Sequence, residues 1–289
     1  MTWWILFVAV GLLAMGGLVY WHLVLAEGAY LGPRMVARTY DWVAHRYDAI
    51  KQFDPRDEDW FVAGPVLQGL AGVDRPLLLD VATGTGRVPL ALLRNRFGAT
   101  GGRIVGLDLS WGMLRQARAK LHDFEGKVDL VWQDASHLPF DDETFDAVTC
   151  MEALEFFPRP REALAEMIRV LRPGGLLAVT NRVGYGAHLL PGRAITRPLF
   201  QQALAALPLS QIETRRWQVD YDLISAHKGG DLAPIGRGDG SLASLLRCPA
   251  CRGPLRQQAA RIVCPGCERV FPIRDRILAM AADKRGIHA

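Results

Sequence analysis

Two groups of residues in this 289-residue chain have types and spacings that could do chemistry. The first is acidic and glycine-rich: Asp80 follows the apolar run Leu77-Leu78-Leu79, and Gly84-Thr85-Gly86 begin four residues after the acid. The second is a set of thiols, Cys248-Pro-Ala-Cys251 and Cys264-Pro-Gly-Cys267. Four thiolates at this spacing can surround one metal ion tetrahedrally, and all-sulfur ligation with no open position suits a structural zinc. A redox pair is the competing reading, although one C-x-x-C would suffice for that. Four of the five cysteines cluster near the C-terminus, which argues for a metal site in a reducing compartment rather than a disulfide framework. The fifth, Cys150, has no base paired with it and reads as a small buried hydrophobe.

The elements around the first group read as strand, glycine turn and helix. Leu77 to Leu79 lack polar alternation, the pattern of a strand buried on both faces of a parallel sheet. Val88, Leu90, Ala91 and Leu92 begin a helical pattern with Pro89 in its first turn, where a missing N–H costs nothing. Such a turn lets backbone approach a nucleotide closely, while an ordinary tight strand–helix turn would look the same. A dinucleotide fingerprint fails, because its third glycine would fall on Pro89, and the Lys-Ser/Thr pair of a phosphate-binding P-loop is missing. RIVGLDLS, Arg103 to Ser110, is a second strand with Asp108 near its end, where one carboxylate could accept both hydroxyls of a ribose. Asp108 could instead cap the next helix, but Ser110 can serve as that cap. Val128–Trp132, Phe145–Met151 and the LLAVTNR run after Gly174-Gly175 read as further strands, and 212–219 with 221–227 as a closing pair. Apolar residues between 185 and 208 suit a greasy substrate and plain packing equally well.

Several strings together resemble one family. D-V-A-T-G-T-G resembles motif I of the class I S-adenosylmethionine (SAM) methyltransferases, and YDWVAHRYD, Tyr40 to Asp48, resembles the segment preceding the core in ubiquinone- and menaquinone-type methyltransferases. Asp134 with Leu138-Pro139-Phe140, the F-D-x-V at Phe145 and R-V-L-R-P-G-G at 169–175 match in order, so the resemblance covers roughly residues 38–227. It implies an α/β fold, a doubly wound, mostly parallel seven-stranded Rossmann-like sheet. It also implies SAM as cofactor, with Asp80 holding its amino-acid end, Asp108 its ribose and Asp134 its adenine. Tyr47, Ala82, Gly84 and Gly86 fall at cofactor-binding positions of the same family, as do Leu109, Ala135 and Met151. No catalytic residue follows from the resemblance; Glu152, after the fourth strand beside Glu155, is the nearest candidate base should the acceptor have a proton to lose. The C-terminal segment CPACRGPL…CPGCERVFPIRDRILAM resembles the small zinc-ribbon activators that partner methyltransferases, over 246–281. Arg276 and Ala279 replace a glycine and a proline of that pattern.

Trp3 to Leu25 carries no Asp, Glu, Lys or Arg and is long enough to cross a hydrocarbon core of roughly 30 Å. Trp3, Trp4, Tyr20 and Trp21 lie near its two ends. A signal peptide fits poorly, since no positive residue precedes the run and the run is too long. Arg34, Arg38, Arg46 and Lys51 follow it, which places the bulk of the chain on the cytoplasmic side. The net charge of +4 is mild and no dense basic run with aromatics occurs, so nucleic acid is not implied. The expected organisation is an anchor at 1–27, a methyltransferase domain at 28–227, a Gly/Asp/Pro-rich linker at 228–245 and a zinc ribbon at 246–282 docked on its own catalytic domain. The expected activity is methyl transfer from SAM to an apolar, lipid- or quinone-like small molecule at the membrane. A protein or RNA methyltransferase assisted by its ribbon, and a non-catalytic SAM-binding scaffold, are the alternatives.

Overall fold

The computed structural model describes residues 2–281, so that Ala282, the last residue of the expected ribbon, lies outside the described residues. Seven strands build the core sheet: β1 (Leu77–Val81), β2 (Arg103–Asp108), β3 (Val128–Trp132), β4 (Phe145–Cys150), β5 (Leu171–Arg182), β6 (Leu209–Trp217) and β7 (Tyr221–Lys228). Four short strands follow: β8 (Arg256–Gln258), β9 (Arg261–Val263), β10 (Val270–Arg274) and β11 (Ile277–Ala279). All lie in one sheet of order β6-β7-β5-β4-β1-β2-β3-β11-β10-β9-β8.

The seven expected strands are therefore present, but the sheet is mixed and eleven-stranded among the described residues. β1, β2, β3, β4 and β5 pair in parallel, whereas β7 runs antiparallel to both β5 and β6. Beyond β3, strand β11 adds in parallel with Leu278 opposite Val131, and β8 to β10 continue as an antiparallel meander. The ribbon extends the sheet because β3 would otherwise offer an open edge of unpaired backbone groups.

β1 shows why an unalternating apolar run became a central strand. Leu77, Leu79 and Val81 enter one hydrophobic cluster and Leu78 the other, all with no exposed surface. Full burial of each such side chain is worth about 1.5–3 kcal/mol. The first cluster runs without a break into the ribbon, taking in Leu246, Leu255, Ile262, Phe271 and Leu278.

The segment read as a linker is strapped across the amino-terminal ends of the strands. Asp74 N donates to Pro234 O, Gly236 N to Asp74 O and Gly238 N to Arg75 O, at 2.8–2.9 Å. Arg172 bonds Asp146 and Ile235 O, and Arg103 bonds Gly240 O. Gly174 explains part of the double glycine after the helix Pro160–Val170: its φ is +71°, and a Cβ there would lie 2.1 Å from Leu232 N. Its composition is that of a linker; backbone hydrogen bonds hold it down.

The helix Thr2–Tyr20 continues through a wider turn, Trp21–Leu25, and the 23-residue stretch from Trp3 has a mean hydropathy of 2.0 with none of it buried. It is long and apolar enough to cross a membrane. Its lower end meets the domain where Trp21 stacks on Tyr30, 5.0 Å between ring centroids, and Ala26 and Ala29 pack with Leu190.

Candidate functional site

An open cavity lies at the carboxyl ends of β1, β2 and β4. This is the position where parallel α/β sheets hold ligands, since strand order reverses beside β1. Its floor and walls include Ala82, Gly84, Asp108, Leu109, Asp134, Ala135, Met151 and Glu152. Val36, Ala37 and Tyr40 of the helix Pro33–Val43, together with Tyr47, line it as well.

The glycine turn and the second acid form one unit. Asp108 accepts from Gly84 N and from Ser110 N, each at 2.8 Å, while the Ser110 hydroxyl caps the helix Trp111–Lys120 by accepting from Met113 N. Burial raises the Asp108 carboxyl to about 6 against the pull of these backbone donors. Gly84 has φ +54°, and a Cβ there would meet nothing within 4 Å. An adenosine-bearing ligand fits this cradle, because bare backbone and an acceptor-rich carboxylate stand side by side at the cavity floor. Asp134 lines the same wall with one oxygen accepting from Ser136 N, leaving the other for a ligand.

Asp80 and Gly86 are placed differently from the other expected residues. Asp80 is buried, and its two oxygens accept from the hydroxyls of Thr83 and Thr149, each at 2.6 Å. It borders a smaller recess with Tyr47, Thr85 and Arg87, not the main cavity, and burial lifts its carboxyl to about 6. Gly86 borders neither space and faces Ala117 and Leu121 of the neighbouring helix.

Glu152 lines the cavity but is already committed. Its Oε1 accepts from Arg87 at 2.9 Å, Gln218 at 3.1 Å and the Trp217 indole at 3.2 Å, and Lys51 stands 4.0 Å from Oε2. Its φ of 53° is an uncommon conformation for a side chain of this size, held by these surroundings. Glu155 is buried on the far side, accepting from Tyr221 at 2.6 Å and paired with Arg182 at 3.4 Å. Neither glutamate is a free base. Cys150 is fully buried, and burial pushes its thiol well above the ordinary range, in keeping with a packing role.

Sequence reasoning missed the latches that close the helical roof. Asp41 accepts from the Ser110 hydroxyl at 2.6 Å and from Gly112 N at 2.7 Å. Asp48 accepts from Thr85 at 2.7 Å and pairs with Lys120 at 2.6 Å. The repeated Tyr-Asp pair at 40–41 and 47–48 was the available signal: each tyrosine lines the cavity and each aspartate ties down the roof. Arg87 was missed too, although it bridges the buried Glu58 (3.1 Å) and Glu152 and stacks 3.4 Å from the Phe53 ring. Burial lifts the Glu58 carboxyl to about 7, with Arg87 opposing.

The thiols gather as the spacing requires. The sulfurs of Cys248, Cys251, Cys264 and Cys267 all lie within 4.8 Å of one another. Tetrahedral zinc with Zn–S bonds of about 2.3 Å needs sulfurs roughly 3.8 Å apart, so the set fits that ion without rearrangement of the fold. The ribbon sits directly behind the cavity wall. Arg247 N donates to Pro139 O, Arg252 reaches Leu138 O and Phe140 O, and Met280 N and Ala281 N donate to Trp132 O. At the β10–β11 turn, Asp275 and Arg276 both have positive φ, 50° and 61°, where glycine would be at ease; Arg276 is secured by an ion pair to Glu125.

Comparison with known proteins agrees with this geometry. Residues 79–179 match the family described as "Methyltransferase domain", and residues 239–275 match "Trm112p-like protein". A demethylmenaquinone methyltransferase of Clavibacter sepedonicus is 37% identical over 149 residues, 51% of this chain and 58% of that protein. One of Parafrankia sp. is 36% identical over 207 residues, covering 62% of this chain and 77% of that protein. The chain spans about three fifths of the length of the relatives from Clavibacter, Thermobifida and Renibacterium. Among solved structures, the [4+2]-cyclase SpnF shares the fold with a TM-score of 0.56 at 20% identity, over 69% of this chain and 97% of that one. A complex of the Haloferax volcanii Trm112 methyltransferase activator with a putative methyltransferase gives a TM-score of 0.51 at 21% identity, over 67% and 97%. The chain belongs to the class I SAM methyltransferases of the ubiquinone/menaquinone type, and carries a Trm112-like cysteine cluster as its C-terminal part.

Proposed function

We propose that this protein is a membrane-anchored methyltransferase that moves a methyl group from SAM to an apolar, quinone-like small molecule. The observation that carries the reading is the single cavity that unites Gly84, Asp108 and Asp134 under a roof bearing Tyr40 and Tyr47. Asp108 and Asp134 would hold the ribose and adenine of the cofactor, and Tyr47 would close over it. When bound, SAM supplies an already activated methyl group on its sulfonium. The protein's own part is then alignment and exclusion of water. Asp80 acts indirectly, fixing Thr83 and so the shape of the glycine turn. Phe156, Phe157 and Met151 give the acceptor side of the cavity an apolar lining, which supports a greasy acceptor over a peptide or a nucleotide.

The anchor is Trp3–Leu25, with the catalytic domain on the cytoplasmic side where Arg34, Arg38 and Arg46 would remain. The cysteine cluster would hold one structural zinc. Its ribbon serves this chain's own β3, filling the edge that a separate activator would otherwise take. A protein or RNA acceptor is the second reading; the Trm112-like ribbon is the feature that favours it.

Calorimetry on the full chain in detergent tests the cofactor assignment. Saturable SAM binding, lost when Gly84 is replaced by a bulky residue that fills the cradle, is the expected result. Binding of NAD without SAM would overturn it.

A further inference from the structure

We propose that the outer face of the Pro33–Val43 helix is a contact surface for an anionic bilayer, so that the roof of the cavity rests on the membrane; this builds on the reading of Trp3–Leu25 as a span. Arg34, Arg38 and Trp42 recur every four residues and form one stripe, all exposed, with Trp42 80% exposed and Leu31 at 49% just before the helix. Neither arginine has an ion-pair or hydrogen-bond partner among the described residues. Asp41, the acid beside the stripe, bonds to Ser110 and Gly112 and forms no ion pair with either arginine among the described residues. The opposite face of the same helix, with Val36, Ala37 and Tyr40, lines the cavity.

Position relative to the span makes a bilayer the occupant. The chain turns back immediately after Leu25: Ala26 N donates to Trp21 O at 2.8 Å and Gly28 N to His22 O at 2.9 Å. A Cβ on Gly28 would lie 3.2 Å from Met35 Cγ. The first turn of the roof helix therefore stands level with the last turn of the span. Headgroups occupy roughly 5–8 Å on each side of the hydrocarbon, within reach of an arginine side chain at that level. Two unpaired guanidinium groups and an exposed indole suit an anionic interface, where each basic residue adds roughly fivefold to partitioning.

The test uses the full chain in nanodiscs of phosphatidylcholine alone or with about one third phosphatidylglycerol, read by amide hydrogen exchange over residues 33–43. Exchange there should slow several-fold in the anionic discs, while residues 111–120 stay unchanged. The variant Arg34→Gln/Arg38→Gln should lose that difference yet bind SAM in neutral discs as the wild type does. Wild-type exchange that is identical in the two lipids, with the chain firmly inserted, overturns this proposal alone and leaves the face to a protein partner. Equal slowing in wild type and variant also overturns it. A chain washed from neutral vesicles by carbonate would overturn the anchor and this proposal with it.

Discussion

The backbone N–H of Gly84 donates to the Asp108 carboxylate across 2.8 Å, so the turn after β1 and the acid ending β2 are one structural unit. Asp108→Ala removes the acceptor for two backbone donors as well as any acceptor for a ribose. SAM affinity should fall by about 1–3 kcal/mol, and the melting temperature should fall too, because a partly buried N–H is left unmatched. Asp108→Asn, which keeps an acceptor oxygen, should lose less of both. Calorimetry and thermal melting on the same preparations check this.

Glu152 is predicted to act as a strut and not as a base. Its Oε1 ties together Arg87, Trp217 and Gln218, with its side chain only 4% exposed. Glu152→Ala leaves a buried guanidinium with one carboxylate fewer and should destabilise the domain by about 3–5 kcal/mol, read by chemical denaturation. Glu152→Gln should cost less and leave the pH profile of transfer unshifted. A Gln variant that melts like the wild type but transfers no methyl group would return the glutamate to a catalytic role.

Glu58 gives a pH dependence of definite sign. Burial raises its folded-state value to about 7, above that of an unfolded glutamate, so between roughly pH 4.5 and 7 the folded chain holds the extra proton. Its contribution to stability is present below that window and is lost as pH rises through it. Glu58→Gln should therefore gain stability relative to wild type on going from pH 5 to pH 7.5, by about 1–3 kcal/mol. Melting curves of the two proteins across that range measure the difference; a constant offset would contradict it.

The ribbon should be integral to the catalytic domain. Leu278 pairs with Val131 on β3, and the residues around it share the main hydrophobic cluster. Removing the metal with a chelator, or replacing Cys264 with Ser, should release β11 and speed amide exchange at Leu130 and Val131. SAM affinity should fall as well, since Asp134 follows β3 by two residues. Unchanged exchange along β3 would show that the ribbon is a free module.

Much of this was legible because it was local. A run of three leucines, a glycine turn, Ser110 ahead of a helix and two C-x-x-C pairs each declare their structure within a few residues. What escaped was set by contacts far apart in sequence. Nothing near Gly174 announces that Leu232 will press against it, and nothing near Arg87 announces Glu58 on one side and Glu152 on the other. The strap at 229–240 looked like a linker because its side chains bury little; its main chain does the bonding. Asp80 looked like a ligand for the cofactor from its place after the strand; the fold sets it in the smaller recess beside the main cavity, bonded to two threonine hydroxyls.

The most direct test of methyl transfer to an apolar small molecule is to incubate the full chain in membranes with methyl-labelled SAM and partition the products. Label is expected in the organic extract, in a species one methylene heavier than its precursor, and none when Asp108 is replaced by alanine. Label confined to protein or RNA, or no label beyond that seen with the alanine variant, would contradict it.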